Sequence, residues 1–305
     1  MKTRHTYLAL VPAAGALAIG CSAPITYGQP AEVLPKGKLQ VALGAGMSAS
    51  TSALTLLNEA RTQMKSFAKV AQSSECQNDH SKCVKASQLS GITKAVYTSG
   101  FAGLVSPIVD LSAKYGIAQD VAIGGRLTTG AYRADLDWQA FHTGAWAGAL
   151  TLSYSYQKAQ VPLVQSLLDK IQLDDFHRHY AEVVFAAGKT FGDWGWLSFG
   201  PRLGISKYHI DMKTGLDMPF LDDIGIGTRV TSTSQALINS LPKTDADGTA
   251  MAAGGFVNFF AGWKYVWIGA ELSAAYHWAT ATVLGSTESF SALQLQPSLL
   301  LLTRF

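Results

Sequence analysis

From about residue 38 onward, side chains sort in alternation onto two unlike faces. Leu39, Val41, Leu43, Ala45 and Met47 fall on one face, and Gln40, Ala42, Gly44 and Gly46 on the other. A period of two is the signature of an extended strand with different surroundings on its two sides. The pattern resumes over 105–115, where Val109, Leu111 and Tyr115 oppose Asp110, Ser112 and Lys114. It recurs over 121–127, 131–141, 146–156, 179–191, 196–208, 251–263 and 266–280, and it closes the chain from Ser289 to Phe305. In 131–141 the contrast is sharpest, with Tyr132, Ala134, Leu136 and Trp138 against Arg133, Asp135, Asp137 and Gln139. The stretch Thr128-Thr129-Gly130-Ala131 reads as a turn, which separates 121–127 from 131–141 and brings the count of strands to about ten.

A soluble sandwich would turn its apolar face inward and coat the other with Lys and Glu. Here the polar face is rich in Gly, Ala and Ser with isolated charges of both signs, while Tyr115, Trp138, Trp146, Tyr156, Trp263 and Trp278 sit near strand ends on the apolar face. Aromatic girdles bordering an outward apolar band belong to membrane barrels. Composition agrees: 48% of residues are apolar, 15% are charged, there are 29 glycines, and the formal net charge is +3. That balance excludes disorder and lacks the charge of a nucleic-acid partner. After the first twenty residues no run reaches the roughly 18 uncharged apolar residues a membrane helix needs. The reading is an all-β fold, a transmembrane antiparallel up-and-down β-barrel. Its connections alternate between short ones at 116–120, 142–145, 192–195 and 264–265 and large outer loops at about 49–104, 159–177 and 210–248. Leu54, Leu57, Met64, Phe67 and Val70 have helical spacing, so a helix is expected over 52–72, with a shorter one marked by Val161, Leu163, Val164, Leu167, Leu168 and Ile171.

Two resemblances sharpen this reading. A final strand ending on a C-terminal Phe, as at Phe305, resembles the closing strand of bacterial outer-membrane barrels, which their assembly machinery recognises. That resemblance implies a Gram-negative-type outer membrane, with outer-membrane lipid and the barrel-assembly machinery as partners. The N-terminus pairs a basic Met1–His5 with an apolar Tyr7–Ile19, as in a secretory signal peptide over 1–20. It ends Ala18-Ile19-Gly20-Cys21, which resembles the lipobox of bacterial lipoproteins and implies lipidation of Cys21. Residues 21–37 then read as a lipidated tether and 38–305 as the barrel. Lipidation and closing Phe both belong on the periplasmic side, which requires an even strand number, as bacterial single-chain barrels have. Cys76 and Cys83, seven apart in a polar stretch, can form a disulfide in an oxidising compartment. A metal held by Cys76, His80 and Cys83 is the alternative reading there.

The polar face places Asp110, Lys114, Arg126, Arg133, Asp135, Asp137, Glu182, Arg202, Glu271, His277 and Arg304 in the lumen. Buried charges must pair, so an interlocking network filling a narrow barrel is expected. A narrow channel for small solutes is the alternative, since ten strands lie below the 16–18 of open porins. A third cluster, Asp174, Asp175, His177, His179, His209 and Asp211, falls at the outer rim. Outer-membrane proteases of the omptin type carry Asp/Asp and Asp/His pairs at that rim, but His209-Ile210-Asp211 reverses the expected Asp-x-His order and no matching Asp-x-Asp stands opposite it. His177, His179, His209 and Asp211 are instead weak metal candidates. No cofactor motif appears. The sequence therefore points to a lipid-anchored barrel, not an enzyme, with a structural, surface-recognition or envelope-assembly role, its outer loops meeting another envelope protein or a small solute.

Overall fold

The computed structural model describes residues 28, 31–51, 106–128, 131–158, 173–212, 244–283 and 286–305. Ten strands run in chain order: β1 (Leu39–Ser50), β2 (Ser106–Ala118), β3 (Val121–Thr128), β4 (Ala131–Thr143), β5 (Trp146–Lys158), β6 (Leu173–Phe191), β7 (Gly195–Met212), β8 (Thr244–Trp263), β9 (Val266–Val283) and β10 (Ser286–Arg304). Each pairs antiparallel with its sequence neighbours, and β1 pairs with β10 to close the barrel. At the seam Leu39 N–H donates to the Phe305 carbonyl at 3.2 Å, and Phe305 N–H returns to the Leu39 carbonyl at 2.9 Å. Closure leaves no unpaired edge, the condition for strands to cross a membrane.

The faces are inverted relative to a soluble protein. Leu43, Leu127, Leu203, Ile205, Ile268 and Leu299 point outward and are exposed, whereas Asp110, Arg126, Asp137, Glu182 and Arg202 are buried in the lumen. Tyr115, Trp138, Trp146 and Trp278 are outward as well, and Trp263, 72% exposed, marks the lipid boundary beside a turn. Among the described residues no helix is long and apolar enough to cross a membrane.

Tight turns at 119–120, 144–145, 192–194 and 264–265 share one end of the barrel with Leu39 and Phe305. Gly144 and Gly192 supply positive φ of 60° and 57° in two of them. In outer-membrane barrels this short-turn end is periplasmic and the long-loop end is external.

The strands outrun the hydrophobic alternation. β6 begins at Leu173 rather than 179, β7 continues to Met212, and β8 begins at Thr244 rather than 251. The expected loops at 159–177 and 210–248 shrink accordingly: Asp175, His177, His179, His209 and Asp211 lie in paired strand, and Asp174 lies in β6 at a register shift. The reason is physical. Backbone pairing carries on after the outward side chains leave the apolar band, and from there the outward face turns polar. The helices expected over 52–72 and 161–171, with Cys21, Cys76 and Cys83, lie outside the described residues.

Candidate functional site: the filled lumen and the outer rim

The lumen is layered. Nearest the periplasm, Trp196, Phe260, Trp267, Leu300, Leu302 and Ala42 pack together inside the barrel. Trp196 stacks on Phe260 at 4.9 Å between centroids and tilts against Trp267 at 4.4 Å. Arg304 lies in this layer, its guanidinium 4.8 Å from the Trp196 ring and its Nε donating to Gln40 Oε1 at 3.0 Å.

Above and beside this layer sits a piece of chain that comes before the first strand. Ala31, Val33 and Leu34 are buried inside the barrel, packed on Ala122, Ala147, Ala149, Val184, Ala186 and Phe256. Gln139, where a bulge interrupts the β4–β5 ladder, holds this segment with both ends of its amide. Its Oε1 accepts from Val33 N–H at 2.7 Å, and its Nε2 donates to the Ala31 carbonyl at 3.1 Å. Ala31 N–H donates to Ser198 Oγ at 3.0 Å, and Gly28 N–H to Glu271 Oε2 at 2.5 Å. The segment leaves by a turn at Gly37, whose φ of 81° suits glycine, with Gly37 N–H on the Gly116 carbonyl at 2.8 Å. Over its described part, the stretch read as a tether lies inside the barrel, packed against the lumen wall.

The middle of the lumen carries the charges. Lys114 Nζ meets Asp137 Oδ2 at 2.7 Å, and Thr151 Oγ1 donates to the other oxygen at 2.7 Å. Arg126 Nη1 stands 3.3 Å from Asp110 Oδ2. Arg133 bridges two carboxylates, Asp135 at 2.7 Å and Glu182 at 3.0 Å, and donates to Ser153 Oγ at 2.7 Å. Arg202 Nε donates to Glu182 Oε1 at 2.8 Å, with its Nη2 on the same oxygen, and Tyr180 OH adds a third donor at 3.0 Å. The belt runs one-sidedly over β2 to β7. Glu271, on β9, lies outside it and accepts from Asn258 at 3.4 Å and Ser273 at 2.8 Å besides Gly28. His277 lies nearer the outer mouth and joins no ion pair among the described residues.

Sequence reasoning missed three contributors. Arg178 faces the lumen, donating to Ser206 Oγ at 3.2 Å, but it lies in β6 just ahead of the alternation that marks the strand from 179. Gln139 reads as one more polar-face residue, and only the bulge beside it hints at a role. Ala31 to Leu34 carry no periodicity, and apolar residues beside prolines look like any linker.

At the outer rim, facing away from the lumen, His177 and His209 stand with ring centroids 5.0 Å apart, and His179 lies 6.0 Å from His177. His209 Nδ1 meets Asp247 Oδ1 at 2.8 Å, and Tyr154 OH meets His179 Nδ1 at 2.6 Å. Asp175 sits opposite Asp211 in the β6–β7 register. Among the described residues no three His, Cys, Asp or Glu side chains converge as a metal site would require.

Fold and face polarity together define the class: a small transmembrane β-barrel of a Gram-negative-type outer membrane. Neither a protein-family model nor a curated protein sequence matches the chain. Among solved structures it is similar to Neisserial surface protein A, at 9% identity over 88% of this chain and 96% of that one, with a TM-score of 0.30. Ail, the attachment invasion locus protein of Yersinia pestis, gives 9% over 88% and 99%, with a TM-score of 0.28. The outer membrane protein OprG of Pseudomonas aeruginosa gives 7% over 89% and 97%, with a TM-score of 0.34. Likenesses at this level are of barrel to barrel, and they transfer no function to this chain.

Proposed function

We propose that this protein is a closed, lipid-anchored platform of the outer membrane, which presents its outer loops and rim for surface recognition or envelope assembly. The observation that carries this reading is the plug: Ala31, Val33 and Leu34 occupy the periplasmic half of the lumen, held by Gln139 and Ser198. Beside it, charges pair with one another along the wall from β2 to β7 and not with solvent in an open path. The expected test is single-channel recording in planar bilayers. The intact protein gives no steady conductance, and deletion of residues 28–37 opens one. A steady conductance of the intact protein, altered by Arg133→Ala or Arg202→Ala, would establish the narrow-channel reading instead.

Lipidation of Cys21 is compatible with the plug. Gly28 is tethered at Glu271, five residues up from Val266, about 13 Å above the periplasmic turn at ~3.3 Å rise and ~40° tilt. Seven residues, Cys21 to Gly28, span up to about 24 Å when extended, enough to return to the periplasmic leaflet. Cys21→Ser is expected to abolish metabolic labelling with fatty acid, and persistent labelling would remove the anchor from this reading. The partners that follow are outer-membrane lipid, the barrel-assembly machinery and an envelope protein at the outer loops.

A further inference from the structure

The outward face of the outer rim is not uniform around the barrel. Strand register sets two ranks of side chains next to each other on β5 to β8. One reads Lys158, His177, His209, Asp247, and the rank nearer the membrane centre reads Tyr156, His179, Lys207, Thr249. Beneath them, outward and exposed, lie Leu152, Val183, Ile205 and Met251. At the same level on other strands the outward residues are uncharged, as at Tyr132, Thr280 and Ser289. Among the described residues, Lys158 and Lys207 are the outward lysines of the outer half.

His179 lies twelve residues along β6 from Phe191, about 30 Å above the periplasmic turn at ~3.3 Å rise and ~40° tilt. The apolar band is only ~25 Å tall. Both ranks therefore stand at the headgroup level of the outer leaflet, with the apolar residues below them facing acyl chains. We infer that Lys158, His177, His179 and Lys207 form a site for the phosphate of a phosphorylated glycolipid in the outer leaflet.

The chemistry fits an anion better than a metal. Lysine donates N–H bonds and repels a cation, and each imidazole offers a ring N–H whichever its protonation state. Within these two ranks the one carboxylate, Asp247, is engaged by His209 at 2.8 Å and bounds the site on the β8 side. The register sets Asp175, Asp211 and Asp245 one rank further out, so the site lies on the membrane side of those positions. Adjacent strands lie about 4.8 Å apart, so the three columns span about 10 Å, the scale of one phosphorylated sugar headgroup. Tyr154, bonded to His179 at 2.6 Å, and Tyr156, with ring centroids 5.1 Å apart, fix the His179 ring at the lipid boundary. A lipid source is favoured over free phosphate because the side chains project sideways into the leaflet and not up into solvent. The inference is independent of whether the lumen conducts.

Native mass spectrometry of the full-length, detergent-purified barrel tests it, with lipid A and its dephosphorylated form as probes. Lipid A is expected to stay bound, and Lys158→Gln with Lys207→Gln to weaken retention about tenfold, the change expected for a loss near 1.4 kcal/mol. Lys189→Gln with Lys264→Gln, at the periplasmic end, leaves retention unchanged, and dephosphorylated lipid A binds the intact barrel no better than lipid A binds the variant. Folding of each variant is checked by heat-modifiable gel mobility, which exposed Lys→Gln changes preserve. Equal retention by the outer variant, or equal retention of the dephosphorylated form, overturns the site. Full displacement of lipid A by inorganic phosphate, or stoichiometric zinc that is lost in His177→Gln and excludes lipid A, overturns it as well.

Discussion

Replacing Glu182 with Ala is expected to lower the unfolding free energy of the barrel by about 3–5 kcal/mol, the cost of breaking a buried ion pair by removing one partner. Glu182 is 3% exposed and receives Arg133, Nε and Nη2 of Arg202 and the Tyr180 hydroxyl. Its removal leaves the positive charges of Arg133 and Arg202 without the carboxylate they share. Arg133 keeps Asp135, so the larger share of the loss falls on Arg202. Pairing Glu182→Leu with Arg202→Met is expected to cost less than Glu182→Leu alone, because the charge left behind, and not the lost contact, carries most of the penalty. Urea unfolding in lipid vesicles, followed by tryptophan fluorescence, measures both. A single variant within about 0.5 kcal/mol of the parent would show that the belt does not hold the wall together.

Gly116→Leu is expected to expel the plug while the barrel stays closed. A Cβ on Gly116 would meet the carbonyl oxygens of Pro35 and Leu34, the latter at 2.7 Å. These are backbone atoms on one side and a closed wall on the other, so the segment is what has to move. Burial of Val33 and Leu34 contributes about 1.5–3 kcal/mol each, and that stabilisation is lost on expulsion. In a background with the native cysteines changed to Ser, Val33→Cys is expected to resist a small thiol reagent, and to react once Gly116→Leu is added. Continued protection in a folded Gly116→Leu barrel would mean that the plug tolerates the side chain, and that the packing at Gly116 does not seat it.

Much of the wall was readable because lipid outside and charge inside impose opposite demands on successive residues. Arg133, Asp135 and Asp137 against Leu136 and Trp138 left no ambiguity about which face was which, and the structure buries the first three. Legibility failed where that contrast ended. Ahead of residue 179 both faces are polar, as at His177 and Arg178, the alternation vanishes, and the start of a paired strand looks like a loop. It failed again at Gln139, whose part in holding the plug depends on a bulge that shifts the ladder, something no single residue announces.

Alternation along the chain was enough for the strand wall, the identity of the lumen face and the residues available to pair there, and for a count of about ten that the closed barrel made definite. It was enough because side-chain alternation is local, repeating every two residues wherever one face meets lipid. Which charge meets which depends on closure of the barrel, as where Arg133 meets Glu182 from a strand two positions away around it. The tertiary structure alone placed Ala31 to Leu34 inside the bore, because what surrounds a segment without periodicity is set by wall residues distant in the chain: Ala122, Gln139, Val184 and Ser198.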